Sequence, residues 1–224
     1  GRIDRVDILE GDQGDFVKII DYKSGNKDFS LSDIYYGLSL QLMVYMGAML
    51  QDKGKRSIKP AGIFYFKIDD PMVESDESII EEVEDQIEKK LKMKGLALKD
   101  ANIIRAMDRD IKNHSKIIPV GLTKGDKFYK TSSVLEEEGF YQLLDHTMGL
   151  IKDISEEMLR GNIKIYPIKQ GKNTACKFCK YGGICQFDTL FDDNYYRNIN
   201  KLNKDQVISA LQSKEGVKAD DKVD

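Results

Sequence analysis

Five residues near the start of the chain have side chains whose types and spacing suit phosphodiester chemistry. Asp4 lies in the opening segment Gly-Arg-Ile-Asp-Arg-Val-Asp, and Asp21 and Lys23 lie in Ile-Ile-Asp-Tyr-Lys. Gln41 and Tyr45 follow at a spacing of one helical turn. Mg²⁺ takes oxygen ligands and is held by one or two carboxylates together with substrate phosphates. These residues predict a site that holds a hard divalent cation and directs a water molecule at a phosphodiester.

Each of the five residues has an expected role. Asp4 and Asp21 would supply carboxylate ligands from neighbouring strands, and Lys23 would face the same side as Asp21 because residues two apart on a strand point to one face. A lysine there can orient or help deprotonate the attacking water and offset charge in the transition state. The metal would lower the pKa of its bound water. Gln41 and Tyr45 would hold the phosphate backbone beside the metal.

Each of these residues also has an ordinary structural explanation. An Asp-x-Lys pair on a strand is usually a surface feature, and a tyrosine at helical spacing usually belongs to the core. The occurrence of all five in this order favours the catalytic interpretation. Asp7 is the alternative to Asp4, but on a regular strand it faces away from Asp4. Asp7 is therefore expected to form a salt bridge with Arg2 or Arg5.

A second group of potential ligands lies near the end of the chain, where Cys176, Cys179 and Cys185 fall within ten residues. An odd number of cysteines in a chain without an export signal argues against disulfides and for shared metal ligation. Thiolates at Cys-x-x-Cys spacing can ligate two irons of one cluster, and a four-iron cluster takes four cysteines. Zinc with His114 or His146 as fourth ligand is the alternative, although neither histidine has ligand spacing.

The composition excludes some functions. The chain has 224 residues, of which 41% are hydrophobic and 33% charged, which is typical of a protein that forms a core. It has no apolar run of membrane-spanning length and no secretory signal. A net charge of -3 does not support binding to nucleic acid by bulk electrostatics, so a local channel or a partner must neutralise phosphates. Lysines between residues 164 and 180 are either such a patch or an ordinary surface.

Hydrophobic periodicity predicts the elements that position the first site. Alternating residues at 3–8 and 16–20 predict two strands joined as a hairpin. One helix is predicted at 32–50, with its first residue as N-cap, which sets the glutamine and the tyrosine of the site on one face. Residues 62–68 are typical of a buried third strand.

The rest of the chain is predicted to be mainly helical. A capping box at Ser133 would begin a long helix with an apolar face, and Gly161 would end it as the C′ residue. The tail at 214–224 is expected to fray. The other predicted elements are a helix at 80–91 closed near Gly95, a helix at 100–108, a strand at 114–120 and a helix at 203–213.

Together, the Gly-x-Ile-Asp-x-Val, Ile-Asp-Tyr-Lys-Ser and Gln-x-x-x-Tyr motifs resemble the RecB-type branch of the PD-(D/E)XK nucleases. The segments at 93–98, 106–108 and 118–119 and the terminal cysteines resemble the C-terminal nuclease domain of the AddB family, the second subunits of bacterial AddAB helicase–nucleases. The resemblance covers nearly the whole chain. It implies an α/β, restriction-endonuclease-like fold: a mixed sheet flanked by helices, with a helical insertion and a C-terminal cysteine-rich iron–sulfur staple segment.

The resemblance also implies an activity. It implies Mg²⁺- or Mn²⁺-dependent hydrolysis of single-stranded DNA, on the 5′-ended strand, during resection of double-strand breaks in the bacterial cytoplasm. The implied partner is an AddA-like helicase–nuclease subunit. By matching position, Asp4 and Asp21 are metal ligands, Lys23 is the catalytic lysine, and Gln41 and Tyr45 form the helix motif. The backbone carbonyl of Tyr22 is implied as a further metal ligand.

For the cysteines, the resemblance implies a structural [4Fe–4S] staple held by Cys176, Cys179, Cys185 and a fourth cysteine far upstream. This chain starts abruptly and is expected to be a fragment without that cysteine, so we expect an incomplete or absent cluster. The fragment is also expected to be without the helix that precedes the first motif strand in the family, so weak metal binding is expected.

Four segments are predicted along the chain: 1–68 as nuclease core, 69–130 as insertion, 131–175 as long helix and return loop, and 176–224 as cysteine staple and tail. Two other functions stay open. One is a non-catalytic DNA-binding or assembly module, and the other is a stand-alone iron–sulfur nuclease of the CRISPR-adaptation type. ATP hydrolysis is not expected, since the chain has no phosphate-binding loop of the Gly-x-x-x-x-Gly-Lys-Ser/Thr type.

Overall fold

The fold is taken from a computed structural model that describes residues 1–12, 14–51, 56–73 and 80–213. The predicted frayed tail at 214–224 lies outside the described residues, as do parts of the predicted insertion. The strands are β1 (Arg5–Gly11), β2 (Gly14–Lys23), β3 (Ile58–Lys67), β4 (Lys94–Leu98), β5 (Val134–Leu135), β6 (Ile168–Gln170), β7 (Asn173–Thr174) and β8 (Arg197–Asn198). The helices are α1 (Leu31–Tyr35), α2 (Gln41–Leu50), α3 (Ile80–Leu91), α4 (Ala101–Met107), α5 (Glu137–Leu159), α6 (Gly182–Cys185) and α7 (Lys204–Gln212), with a short 3-10 helix at Ala175–Phe178.

Five strands form one mixed sheet in the order β1-β2-β3-β4-β5. The pair β1–β2 is the predicted antiparallel hairpin, whereas β2 and β3 are parallel and therefore need a long connection between them. The pair β3–β4 is antiparallel, and β4–β5 is parallel. Helices flank this sheet, so the predicted α/β fold class is confirmed.

The two faces of the sheet differ because neighbouring residues on a strand point to opposite sides. On one face, Asp21 of β2 is the register partner of Tyr65 on β3, and Tyr65 is the partner of Lys94 on β4. On the other face, Ile20 and Phe64 belong to a buried apolar cluster. The cluster also contains Met93, Ala97, Ile104, Ile111, Ile118, Val120, Leu122 and Val134. Both faces bury core residues, since Ile19, Ile63 and Leu96 on the first face are register partners and fully buried. The first is called the polar face below because polar side chains stand at its end, and the second the apolar face.

The predicted single helix at 32–50 is wrong, because the chain forms two helices there. Gly37 adopts the left-handed conformation, with φ of 81°, and its N–H donates to the carbonyl of Ile34 at 3.0 Å. The left-handed conformation ends a helix, and glycine adopts it with little strain because it has no Cβ atom. Ser32 is inside α1 rather than its N-cap, and its hydroxyl accepts a hydrogen bond from the N–H of Leu202 at 3.1 Å. The second helix begins at Gln41.

Two further predictions fail between residues 92 and 120. The predicted helix at 80–91 is confirmed as α3, but its predicted closure near Gly95 is wrong, because the residues after Leu91 lead into strand β4. The strand predicted at 114–120 is irregular and makes one isolated bridge, from His114 to Gly121. The hydroxyl of Ser115 accepts hydrogen bonds from the N–H groups of Ile117 and Ile118, both at 3.0 Å. A serine that bonds nearby backbone in this way competes with strand pairing.

The C-terminal helices follow the prediction more closely. Helix α5 ends near Gly161, which has a φ of 75° as expected of a C′ glycine. The residues after Ser133 form strand β5 before α5 begins at Glu137, so the predicted helix start is three residues early. Met158 is 72% exposed, so the predicted apolar face is only partly buried. The last helix, α7, has a complete capping box at Asn203.

The chain divides into two compact units. The first comprises residues 1–30 and 39–144, which include the five-stranded sheet. The second comprises residues 31–38 and the chain from 145 onward, with a small sheet in the order β7-β6-β8. The predicted division into four segments stays a prediction. In the described ranges, no helix combines the length and the apolar character needed to cross a membrane.

Gly95 tests the packing of the central strands. A Cβ atom at Gly95 would lie 2.7 Å from Cα and 2.6 Å from a ring carbon of its register partner, Phe64. We expect Gly95→Ala to lower the free energy of unfolding by about 1–3 kcal/mol, since the clash involves backbone that cannot move freely. Urea unfolding measures this change. Gly125→Ala, where a Cβ would meet nothing within 4 Å, is the control, and equal effects of both variants would contradict the packing described.

Candidate active site

The polar face of the sheet ends at an edge where the two parallel strands finish together. Asp21 and Lys23 are near the end of β2, and Lys23 is the register partner of Lys67 at the end of β3. The N–H of Ile68 donates to the carbonyl of Lys23 at 2.9 Å and extends this pairing. Because carboxyl ends of parallel strands meet at one edge, side chains that are distant in sequence come together there.

Asp4 lies directly before β1 and is held beside this edge. The register of β1 with β2 pairs Arg5 with Ile20, so one further residue along each strand sets Asp4 opposite Asp21. An oxygen of the Asp4 carboxylate accepts a hydrogen bond from the N–H of Tyr22 at 3.0 Å. The Asp4 side chain is exposed, and this bond fixes it against the backbone of β2. The two carboxylates predicted as ligands are therefore neighbours.

Asp21 is 2% exposed, which is unusual for a carboxylate. The ammonium nitrogen of Lys23 lies 2.5 Å from its Oδ2 atom, which neutralises the charge. This contact does not have hydrogen-bond geometry, and Oδ2 has no hydrogen-bond partner among the described residues. A buried carboxylate oxygen without a donor costs free energy. The residues fit a divalent cation, because two neighbouring carboxylates, one of them buried, offer the oxygen ligands that such an ion takes.

A chain of hydrogen bonds holds Lys23. Its Nζ atom donates to the side-chain oxygen of Gln41 at 2.8 Å, and the amide nitrogen of Gln41 donates to the hydroxyl of Tyr45 at 3.1 Å. The ammonium group also lies 5.6 Å from the ring centroid of Tyr65, within cation–π distance. The break at Gly37 contributes here, since it lets α2 begin at Gln41. Four of the predicted side chains, those at 21, 23, 41 and 45, thus form one connected network.

Tyr22 is placed differently from the other predicted residues. Its ring points to the apolar face and packs edge-to-face against Phe66, with the ring centroids 5.7 Å apart. Only its backbone therefore lies at the site, where the N–H binds Asp4. The role of its carbonyl as a metal ligand stays a prediction.

Asp7 does not belong to this network. It forms ion pairs with Arg5 at 2.7 Å and with Lys18 at 2.9 Å, so the predicted salt bridge with Arg5 is confirmed. Burial raises the pKa of the Asp7 carboxyl, but hydrogen bonds from Arg5 and Lys18 outweigh this effect and leave the pKa below its ordinary value. Asp7 therefore stabilises the hairpin and offers no free carboxylate.

The three cysteines have free thiols, with Cys176 half-buried and the other two exposed. The N–H of Cys179 donates to the carbonyl of Cys176 at 3.1 Å, which closes a tight turn between them. Within the residues that the structure describes, no group of three or more histidine, cysteine or acidic side chains is arranged to bind a metal. No set of four cluster ligands is therefore formed there.

The histidines named for a zinc site have other contacts. His146 donates from Nε2 to the carbonyl of Tyr35 at 2.8 Å, and its ring stacks on Tyr35 with centroids 4.7 Å apart. His114 stacks on Tyr129 at 4.6 Å. Neither joins the cysteines in a metal-binding group within the described part of the chain, so nothing there favours the zinc alternative.

The sequence analysis missed two residues of this edge, Tyr65 and Lys67. Tyr65 is buried beside the Lys23 ammonium, and Lys67 is the cross-strand neighbour of Lys23. The two residues lie two positions apart at the end of an apolar run, so the sequence already indicated that their side chains face the same side of one strand. That signal becomes informative only when β3 is known to lie parallel to β2.

Comparison with known proteins agrees with this geometry. A family profile described as the PD-(D/E)XK nuclease superfamily matches residues 1–186. The chain is 58% identical to the B subunit of the ATP-dependent helicase/deoxyribonuclease of Alkaliphilus metalliredigens, over 95% of this chain and 19% of that protein. For the proteins of the same name from Alkaliphilus oremlandii and Clostridium tetani, the identities are 54% and 51%, over the same shares. The chain therefore spans about a fifth of the length of these relatives.

The chain belongs to the PD-(D/E)XK nuclease superfamily. The predicted nuclease activity class is confirmed, as is the resemblance to B-type subunits of helicase–nucleases. Nucleases of this superfamily generally depend on divalent metal ions, which agrees with the neighbouring carboxylates of Asp4 and Asp21.

The lowered pKa of Asp7 predicts how the stability of the hairpin depends on pH. A folded-state pKa below the unfolded one stabilises the protein above the unfolded value, near 3.8, and this contribution is lost as the pH falls through the folded value. We expect Asp7→Asn to reduce the free energy of unfolding at neutral pH by up to about 1 kcal/mol, since the pair is partly solvated. Urea unfolding at neutral pH and below about pH 3 measures this, and a difference that persists in acid would contradict the assignment.

Proposed function

We propose that this chain is the nuclease domain of an AddB-like helicase–nuclease subunit and that it hydrolyses single-stranded DNA with Mg²⁺ or Mn²⁺. The observation that carries the proposal is the buried carboxylate of Asp21, which lies 2.5 Å from the Lys23 ammonium and opposite Asp4 in the register of the hairpin. Asp4, anchored on the adjacent backbone, is the second carboxylate. The superfamily membership supports the reaction class.

Asp4 and Asp21 would hold the cation, with the carbonyl of Tyr22 as a further ligand. When bound, a divalent cation lowers the pKa of a coordinated water and polarises a phosphoryl oxygen. Lys23 orients the attacking water and offsets the negative charge that develops on the phosphate. Gln41 keeps the Lys23 ammonium in position through its side-chain oxygen. Tyr45, at the end of the hydrogen-bond chain, orients Gln41 and offers its hydroxyl to the DNA backbone.

Metal binding and cleavage can be tested separately in this chain. We expect Asp21→Asn to weaken Mn²⁺ binding at least ten-fold, because the substitution removes the ligand charge. We expect Lys23→Met to leave Mn²⁺ binding within a few-fold and to slow cleavage about 100-fold, because it removes a transition-state contact. Calorimetric titration with Mn²⁺ and a gel assay with an end-labelled oligonucleotide measure these changes.

Asp7→Asn is the matched control for both measurements, since it removes a carboxylate from the same hairpin but outside the network. It should leave metal binding and cleavage unchanged. Cleavage by Asp21→Asn at the rate of the unsubstituted chain would refute the proposed site. If the unsubstituted chain and the longer protein both bind DNA without metal and neither cleaves it, the non-catalytic module is favoured.

The biological setting is proposed from the names of the relatives, which are B subunits of ATP-dependent helicase/deoxyribonucleases. We propose that the domain acts with an AddA-like subunit in the bacterial cytoplasm and degrades the 5′-ended strand during resection of double-strand breaks. In the assembled helicase–nuclease, Asp21→Asn should then stop shortening of the 5′-ended strand only. Strand-specific end labels on a linear duplex measure this, and loss of degradation on the other strand instead would reverse the assigned polarity.

We also propose that Cys176, Cys179 and Cys185 bind a [4Fe–4S] cluster together with a fourth cysteine of a longer protein, and that the cluster has a structural role. The support is the Cys-x-x-Cys spacing and the tight turn between the first two residues. Iron and sulfide analysis of the longer protein tests this. Cys179→Ser should lower the iron content, and unchanged iron would contradict the ligand assignment.

A further inference from the structure

A basic groove of about 600 Å³ opens beside the candidate active site. Seven lysines line it against two aspartates, Asp69 and Asp70. Three further carboxylates, those of Asp21, Asp28 and Asp85, pair with lining lysines, so the local excess is two positive charges. The whole chain has a net charge of -3, so this concentration of lysines is local. Lys23 of the catalytic network is one of the seven. The groove therefore begins at the site where a phosphodiester would be cut.

Sheet register accounts for three of the seven lysines. Lys23 and Lys67 are register partners at the ends of parallel strands β2 and β3. Lys94 is the first residue of β4 and the register partner of Tyr65, two residues before Lys67. All three side chains thus lie on the polar face at one edge of the sheet.

The end of helix α3 brings further lysines to the groove. Lys89 and Lys90 occupy the last turn of α3, where the helix dipole favours cations. A second hollow of about 340 Å³ shares Lys89, Lys92 and Lys94 with the groove and continues past His114. The two hollows therefore adjoin at these three lysines.

Three of these lysines, Lys27, Lys90 and Lys92, make no salt bridge within 4.0 Å among the described residues, although the last two lie in the field of Asp69 and Asp108, respectively. Lys27 donates to the hydroxyl of Ser39 at 2.8 Å, and Lys90 donates to the carbonyl of Met72 at 2.6 Å. Lys92 makes no ion pair within 4.0 Å among the described residues, and burial lowers its pKa. By contrast, Lys94 is paired with Asp28 at 2.5 Å. Charges held by neutral partners remain available to an anion.

We propose that this groove binds the sugar–phosphate backbone of a single DNA strand and leads that strand to or from Lys23, with Lys27, Lys90 and Lys92 as backbone-positioning residues. The inference rests on the proposed nuclease function. The aromatic residue of the groove, Tyr65, is 4% exposed and cannot stack on bases. Binding is therefore carried by phosphates and is tolerant of base sequence.

The test is binding of a fluorescent oligo(dT) strand to this chain in EDTA, measured by anisotropy over a range of salt concentrations. The variant Lys27→Gln/Lys90→Gln/Lys92→Gln should bind about ten-fold or more weakly and lower the slope of log affinity against log salt by about 2, since each lost phosphate contact contributes about 0.7. Oligo(dA) should give the same changes, because the bases are not read.

The matched control is Lys112→Gln/Lys124→Gln/Lys127→Gln, which makes the same charge change at exposed lysines that line neither hollow. It should leave the affinity within two-fold. The triple Lys→Arg variant of the groove should restore binding, which separates charge from folding. If the glutamine triple does not fold, Lys27→Gln and Lys90→Gln singly should each lower the slope by about 0.7.

Equal weakening by groove and control variants would overturn the inference, as would no weakening by the groove variant. If poly-glutamate displaces the labelled strand as effectively as unlabelled DNA does, the inference is also overturned, and an acidic peptide becomes the favoured ligand. Because EDTA removes cleavage, these outcomes are independent of the metal site. If the Asp21→Asn variant still cleaves DNA, the proposed catalytic residues are refuted, but the binding result still holds.

Discussion

The buried carboxylate of Asp21 is the constraint on which the site depends. Its Oδ2 atom has no hydrogen-bond donor among the described residues, and the nearest positive charge is the Lys23 ammonium at 2.5 Å. A buried negative charge is costly unless it is compensated. The surrounding residues serve that need: Gln41 fixes the ammonium, and Tyr45 fixes Gln41. The same buried carboxylate that costs stability is the one to which we assign a divalent cation.

This arrangement requires two parallel strands that end together. If β3 ran antiparallel to β2, Lys67 would lie at the far end of the sheet from Lys23. The parallel pair needs a long connection, and helices α1 and α2 are in that connection. The connection therefore does two things, because it allows the parallel pairing and supplies Gln41 and Tyr45 to the end of β2.

Positive charge is distributed unevenly over the surface of the protein. A protein with a net charge of -3 is repelled on average by DNA, yet sheet register and one helix terminus gather lysines at a single edge. Ion pairs such as Lys94 with Asp28 moderate this concentration, while lysines with neutral partners keep their full charge. Local basicity on an acidic protein favours binding next to the catalytic residues over binding elsewhere on the surface.

Sequence alone determined the candidate residues, the hairpin, the superfamily, the C-terminal end of α5 and the bounds of α7, because each depends on spacing within a strand, a helical turn or a cap. Only the tertiary structure decided that α2 begins at Gln41, that the segment 114–120 is irregular, and that Tyr65 and Lys67 join the site. It alone assembled the basic groove. These features depend on pairing between strands far apart in sequence, and on whether Gly37 adopts a left-handed conformation, which local patterns do not specify.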